Sequence, residues 1–172
     1  MNTTELKKLQ APLKERYRED PDSAILVLSA EGNIGEGISC RVETGRALIE
    51  AGLHPATGGT GLQACSGDML LEALVACAGV TLRSVATSIG VDIRKGRVRA
   101  EGDLDFKGTL GVSKDSPVGF KAIRLLFSLD TDAGEEQIAN LKKLTERYCV
   151  VYQTLTRGVA IHSAYLAGPG GD

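Results

Sequence analysis

The chain contains no tryptophan, and aromatic residues make up only 4% of its 172 positions, so its core has to be aliphatic. Histidine occurs only at His54 and His162, and none of the cysteines Cys40, Cys65, Cys77 and Cys149 stands in a CxxC pair. That scarcity argues against a zinc site, and no metal or organic cofactor is called for. The gaps between the cysteines are too wide to read as a disulfide framework, so the thiols are packed core residues, redox groups or a mixture. Neither sign of charge dominates: 20 basic against 22 acidic side chains leave a formal charge of −2. No nucleic-acid partner is expected from that balance, because phosphate binding needs a basic surface. No apolar run approaches the ~18–20 residues of a membrane span, and residues 1–20 lack the apolar segment of a signal peptide. The expected compartment is therefore the cytoplasm, with no membrane association.

Against these absences stand 42% hydrophobic residues, 24% charged residues and 21 glycines. The first two are ordinary for a globular domain, and the glycines announce tight turns and close backbone approaches. The length suits one domain, divided here into a helical extension over 1–22 and a main domain over 23–172.

The spacing of Leu6, Leu9 and Leu13 predicts an amphipathic helix over 4–18, weakened at Pro12. Its basic residues, Lys7, Lys8, Lys14, Arg16 and Arg18, are interrupted by Glu5, Glu15 and Glu19. They form either a solvated face or a surface for a partner or an acidic lipid. A strand is predicted over 23–30, then a turn marked by Gly32, Gly35 and Gly37. A second strand follows over 37–44, in which Ile38, Cys40 and Val42 alternate with polar residues; Cys40 reads as a small buried hydrophobe. The sheet is expected to continue through 46–50 after a turn, and a glycine-rich loop then fills 54–66. That loop is not a phosphate loop, since no GK[ST] follows it.

The strongest element is a helix over 68–89, in which Met69, Leu70, Ala73, Leu74, Cys77, Val80, Thr81, Ser84 and Val85 recur at three- and four-residue steps. Ser66 is the expected N-cap and Gly90 the expected C-terminal stop. It is apolar nearly all round and is expected to be buried nearly all round, inside the molecule or an oligomer. Strands over 91–106 and 119–130 follow, joined by a hairpin-like loop, and the second places Ile123, Leu125, Phe127 and Leu129 on one side. An amphipathic helix over 135–147 turns Ile138, Leu141 and Leu144 inward, a short helix is expected from 148 to 156, and a closing strand from 158 to 167. This order is α+β with antiparallel pairing.

Two stretches carry a more specific signal: Asp68-Met69-Leu70-Leu71-Glu72-Ala73-Leu74-Val75-Ala76-Cys77, and Thr145-Glu146-Arg147-Tyr148-Cys149, whose cysteine lies 72 residues beyond the first. In order, spacing and element context they resemble the osmotically inducible protein C (OsmC) and organic hydroperoxide resistance superfamily, in its OsmC-like branch, over about residues 23–167. The resemblance implies an intertwined homodimer in which antiparallel sheets wrap around central helices. It implies that Cys77 is the peroxidatic thiol and Cys149 the resolving one. The substrate would be an organic hydroperoxide, a dithiol would be the reductant, and the setting would be oxidative stress defence. The alternative is a non-peroxidatic relative that binds a small apolar or electrophilic ligand.

The chemistry asks for such a pair. A nucleophilic thiol must be a thiolate, which needs a nearby cation or helix N-terminus. A sulfenic acid escapes further oxidation only if a second thiol reaches it. The arginine of the peroxidase members falls on Glu36 in this chain, and their glutamate on Gly67, with Asp68 the neighbouring acid. Arg41 and Arg46 are the candidate replacements for the cation. Arg83, six residues past Cys77, lies roughly 240° around the helix and points elsewhere. Glu72 is the lone charge in the apolar stretch and is expected at the surface or a dimer edge. Cys65 reads either as a loop residue or as an alternative resolving thiol. The substrate pocket is expected between the apolar helix faces and loop 54–66 near the dimer interface, and His162 is expected to face solvent or cap a polar contact.

Overall fold

The computed structural model describes residues 3–34, 40–42 and 51–165, with side chains at 8, 10–26 and 51–165. The elements are α1 (Thr3–Glu19), β1 (Ile25–Ile34), β2 (Cys40–Val42), α2 (Ser66–Ile89), β3 (Lys95–Asp105), α3 (Phe106–Thr109), β4 (Phe120–Asp130), α4 (Glu135–Tyr148) and α5 (Val150–Arg157). The α+β class holds. The four strands form one antiparallel sheet in the order β2-β1-β3-β4.

Strand alternation separates the two faces of that sheet. Val98 and Ala100 of β3, with Ile123, Leu125 and Phe127 of β4, turn inward against Leu71, Leu74, Val75 and Ala78 of α2. On the opposite face Arg124 pairs with Asp103 at 2.6 Å and with Glu101 at 3.3 Å, and Arg99 pairs with Glu101 at 2.9 Å. These pairs are open to solvent and add little to stability, so the apolar inner face holds the helices on.

The central helix begins at Ser66, with Cys65 rather than Ser66 as N-cap. It ends as expected at Gly90, whose φ of 72° permits the left-handed stop and whose N–H reaches the Ala86 and Thr87 carbonyls. Within one chain its burial is one-sided. Leu71, Leu74, Val75, Ala78, Leu82, Val85 and Ala86 are buried, whereas Leu70 and Val80 are each 37% exposed and Ala73 is open to solvent. One sheet and two flanking helices cover one side of the cylinder only. The expectation of no span-like segment also needs correction: by length and composition alone α2 could cross a membrane. Within the fold it is a core helix, and Asp68, Glu72 and Arg83 interrupt its apolar sequence.

Other differences have local causes. β1 runs through Gly32, where a turn was expected, because Gly32 pairs with both Val98 and Val42. β2 spans three residues of the strand expected over 37–44; the direction of the Cys40 side chain lies outside the described residues, as do Glu36 and all of 46–50. The expected hairpin loop after β3 opens with α3, capped by the Asp105 carboxylate, which accepts from the Lys107 N–H at 3.0 Å. The closing strand is absent over the described residues 158–165. Residues 158–165 find no sheet partner among the described residues, leaving Val159 62%, Ile161 86% and Tyr165 92% exposed. His162 is exposed, as expected.

The first helix packs on the main body through a residue that the leucine spacing overlooks. Tyr17 is fully buried beside Ala24, Ala56, Phe106 and Leu110, and its hydroxyl donates to the Ala56 carbonyl at 2.7 Å. Gln10 adds a hydrogen bond to the Thr57 carbonyl at 3.2 Å.

Candidate functional site

Cys77 sits halfway along α2, on the flank between its buried and open faces, and is half-buried. Cys149 is 1% exposed and occupies the single residue between α4 and α5. It closes α4 through its N–H to the Thr145 carbonyl at 2.9 Å, and its own carbonyl accepts from Gln153 at 2.9 Å to open α5. A residue that ends one helix and starts the next has its position fixed from both directions. That fixed position brings its thiol into hydrogen-bonding contact with the thiol of Cys77.

Because Cys149 immediately precedes α5, the first free N–H groups of that helix face the same point. Burial pushes the Cys77 thiol up, but hydrogen bonds reverse the shift. The Val151 N–H, the Cys149 thiol, the Thr81 hydroxyl and the Val150 N–H all bond to its sulfur, and the thiol ends below its ordinary value. The helix end thus does for this sulfur what a cation would do, since its N–H groups carry partial positive charge. Cys149 moves the other way. Burial, followed by the hydrogen bond and negative charge of Cys77, pushes it up to about 11, against help from the Tyr152 and Val151 N–H groups. The pair is therefore one half-buried sulfur made more acidic than an ordinary thiol, beside one buried sulfur that keeps its proton at neutral pH.

The two acids of α2 lie elsewhere. Asp68 is nine residues before Cys77, about half a turn round the helix and roughly 13 Å along it. Burial raises its carboxyl, and the nearby His54 partly offsets that. Glu72 is raised by burial and then by the charge of Asp68. His54 stacks on Phe106 with ring centroids 4.9 Å apart, and its Nδ1 accepts from the Ala56 N–H at 3.0 Å. These groups cluster at the start of α2, away from the sulfur pair. Arg41 stands opposite Asn33 in the β2–β1 ladder, its side chain outside the described residues, and Arg46 lies outside them altogether. Arg83 does point elsewhere: its Nη1 donates to the Ile93 carbonyl at 2.7 Å. Cys65, twelve residues before Cys77, is about 18 Å away along the helix, beyond the ~7 Å Cα separation that a disulfide between them would need.

Two apolar grooves flank the pair on the inner side of β4. One, of about 290 Å³, is lined by Leu74, Phe120, Ile123, Leu125, Tyr152 and Leu155 among others. The other, of about 490 Å³, lies between β4 and α4 and shares Ile123, Leu125 and Tyr152 with the first. Leu74 is one turn before Cys77, and Tyr152 packs against the cluster that holds Cys149. These grooves are bounded by β4, α4 and α5 rather than by loop 54–66.

Sequence reasoning missed three contributors: the Val150 and Val151 N–H groups and the Thr81 hydroxyl. The helix-end donors could have been inferred, because a cysteine directly before a helix shares its place with the helix's unpaired N–H groups. Thr81 could have been found from its spacing of four residues from Cys77.

An α+β fold whose central helix presents a half-buried thiol to a second, buried thiol defines a two-cysteine site. A family model for OsmC-like proteins matches residues 59–163, and the chain belongs to that family. Solved structures agree with the fold. The chain resembles an OsmC-like hydroperoxide resistance protein from Jannaschia sp. CCS1 at 17% identity and a TM-score of 0.61, covering 86% of this chain and 97% of that one. It also resembles an OsmC-like protein from Mycoplasma pneumoniae at 19% identity and a TM-score of 0.54, covering 78% of this chain and 86% of that one. No curated protein matches the chain.

Proposed function

We propose that the protein is a thiol-dependent peroxidase that reduces organic hydroperoxides through Cys77 and Cys149, serving oxidative stress defence in the cytoplasm. The observation that carries this reading is the direct contact between an acidified, half-buried Cys77 and a buried, protonated Cys149. The Cys77 thiolate attacks the outer oxygen of ROOH and the O–O bond breaks. Cys77 becomes a sulfenic acid, and the departing RO⁻ takes a proton from solvent to leave as ROH. The Cys149 sulfur then attacks the sulfenic sulfur. An S–S bond forms, and the displaced hydroxide leaves as water with the Cys149 proton. A dithiol returns both cysteines to thiols and is itself oxidised to a disulfide. The grooves beneath β4 offer apolar surface for R.

The working unit in this proposal is a homodimer. The uncovered stripe of Leu70, Ala73 and Val80 on α2, and the exposed apolar residues Tyr148 at the end of α4, Val150 at the start of α5, and Val159, Ile161 and Tyr165 beyond it, are the faces a second copy would cover.

The test is turnover of cumene hydroperoxide by the purified, reduced protein with dithiothreitol, using Cys77→Ser as control. Turnover that vanishes in the variant supports the proposal. Turnover that survives there refutes the mechanism. A wild type that is inert with both thiols reduced points to the second reading, an OsmC-like protein that binds a small apolar or electrophilic ligand. Glu36 and Gly67, at the positions where the resembled peroxidases carry arginine and glutamate, favour that reading, as does the 490 Å³ groove.

A further inference from the structure

The groove between β4 and α4 has a volume of about 490 Å³, within the roughly 300–1,000 Å³ of small-molecule sites. Leu82, Phe127, Leu129 and Leu141 give it apolar walls, and the buried polar residue among them is Thr145, 2% exposed. The Thr145 Oγ1 atom has no hydrogen-bond partner, the one buried side-chain oxygen or nitrogen in that condition among the described residues. A threonine inside a helix can satisfy its hydroxyl on the carbonyl four residues earlier. Thr87 does so, onto Arg83 at 2.9 Å, and Thr156 does so, onto Tyr152 at 2.9 Å. Thr145 does not, and its own carbonyl is occupied by the Cys149 N–H at 2.9 Å. An unsatisfied oxygen in an apolar wall costs stability, and a valine of the same shape would avoid that cost. The charged residues that line the groove, Lys142 and Glu146, are of opposite sign and stand 3.9 Å apart, so together they present no net charge.

We propose that this groove binds an uncharged apolar molecule with a single oxygen function, an alcohol or hydroperoxide oxygen, which completes the hydrogen bonding of the Thr145 hydroxyl. Thr145 lies one helical turn before Cys149, so the oxygen end of the ligand sits at the thiol end of the groove and its hydrocarbon runs between β4 and α4. A carboxylate is disfavoured there, because the lysine is matched by a glutamate and one neutral hydroxyl does not offset the desolvation of a charge. The inference deepens the proposed function by naming the chemistry of its ligand. It rests on the grooves being the ligand site and not on a peroxide being reduced.

The test uses 1-octanol, titrated calorimetrically into the reduced full-length protein without any peroxide. Thr145→Val keeps the shape and β-branching of the side chain and removes the hydroxyl. It should weaken octanol binding about fivefold, the worth of one neutral hydrogen bond. The same variant should melt higher than wild type in the absence of ligand, by roughly 2–4 °C, because the unsatisfied oxygen is gone. A hydroxyl with a purely structural role would move the melting temperature the other way. Thr145→Ser keeps the hydroxyl and is expected to bind within about twofold of wild type. Ile138→Phe narrows the groove from the α4 side and should abolish binding. Octanoate should bind at least about tenfold more weakly than octanol, for want of an unmatched cation. If circular dichroism shows the valine variant misfolded, Thr145→Ala takes its place and affinity alone decides. Octanol that does not bind, that binds equally without the hydroxyl, or that still binds to Ile138→Phe overturns the proposal, as does a valine variant that melts lower or octanoate bound as tightly as octanol. If binding behaves as expected while wild type turns over no cumene hydroperoxide, the site stands and the peroxidase reading falls. Turnover without binding that depends on Thr145 leaves the peroxidase reading and removes this site.

Discussion

Replacing Cys149 with alanine separates the two jobs assigned to its sulfur. The side chain is 1% exposed and packs in the main core cluster, so losing one sulfur atom removes buried contact and leaves a small void. A Leu→Ala change costs about 2–5 kcal/mol for three carbons; one sulfur corresponds to about 1–1.5 kcal/mol. In a domain of this length that lowers the melting temperature by roughly 2–6 °C, which leaves the fold intact. The Cys77 thiolate also loses one of its hydrogen-bond donors. Without that charge-assisted hydrogen bond the pKa of Cys77 should rise, and the midpoint of its alkylation profile should move to higher pH. With no resolving thiol, a single addition of hydroperoxide should consume about one equivalent per chain, and continued exposure should carry Cys77 to sulfinic acid. The assays are thermal unfolding, the pH profile of Cys77 alkylation, and intact mass after peroxide exposure. Multiple turnovers in the variant, or a mass gain of two oxygens no faster than in wild type, would refute the assignment of Cys149 as resolving thiol.

Three further outcomes follow from the same geometry. Tyr17→Phe removes the hydroxyl that satisfies the buried Ala56 carbonyl; it should cost about 1–2 kcal/mol, seen as a melting temperature lower by roughly 2–8 °C, with hydroperoxide turnover unchanged. Glu72 has a folded-state pKa above its unfolded value, so its favourable neutral form stabilises the fold below about pH 4.3, and that contribution is lost as pH rises through the folded pKa. Glu72→Gln should therefore melt slightly higher than wild type at pH 7, by the equivalent of a few tenths of a kcal/mol at this partly exposed site, and the gain should disappear near pH 3.5. Light scattering on the eluting protein should give about 36 kDa, twice the 18.1 kDa chain, and a monomer would remove the basis for the covered α2 stripe.

Periodicity reads one face of an element at a time, and the residues it recovered are those with a clear inside and outside. Ile123, Leu125, Phe127 and Leu129 of β4 alternate as expected, because one side of the sheet meets helices and the other carries Arg124 and its acids. The extent of α2 was legible in its spacing and in Gly90, but its covering was not. How much of an apolar helix is buried depends on what else packs on it, and a sequence does not state that. Residues 158–165 find no sheet partner among the described residues for a related reason: Val159 and Ile161 have strand-like alternation, but a strand needs a neighbouring edge as well as a pattern. Tyr17 continues the stripe of Leu13 by four residues, but the leucine spacing alone does not reach it. Of the candidate site, the cysteine pair was legible through its two motifs. The donors that tune it are mostly backbone N–H groups, which carry no letter of their own, and they become visible only once α5 is seen to begin at Val150.

The burial of Tyr17 has a consequence for how the chain is made. Its neighbours are Ala24, Ala56, Phe106 and Leu110, and β1 pairs along most of its length with β3, matching Ile25 to Asp105. On a ribosome adding about 5–20 residues per second, the first helix and first strand therefore wait several seconds for Phe106 and Leu110 to emerge. During that interval the segment has no core to enter. The charges that crowd it, from Glu5 and Lys7 through Arg18 and Glu19, keep the nascent end solvated until the later strands arrive.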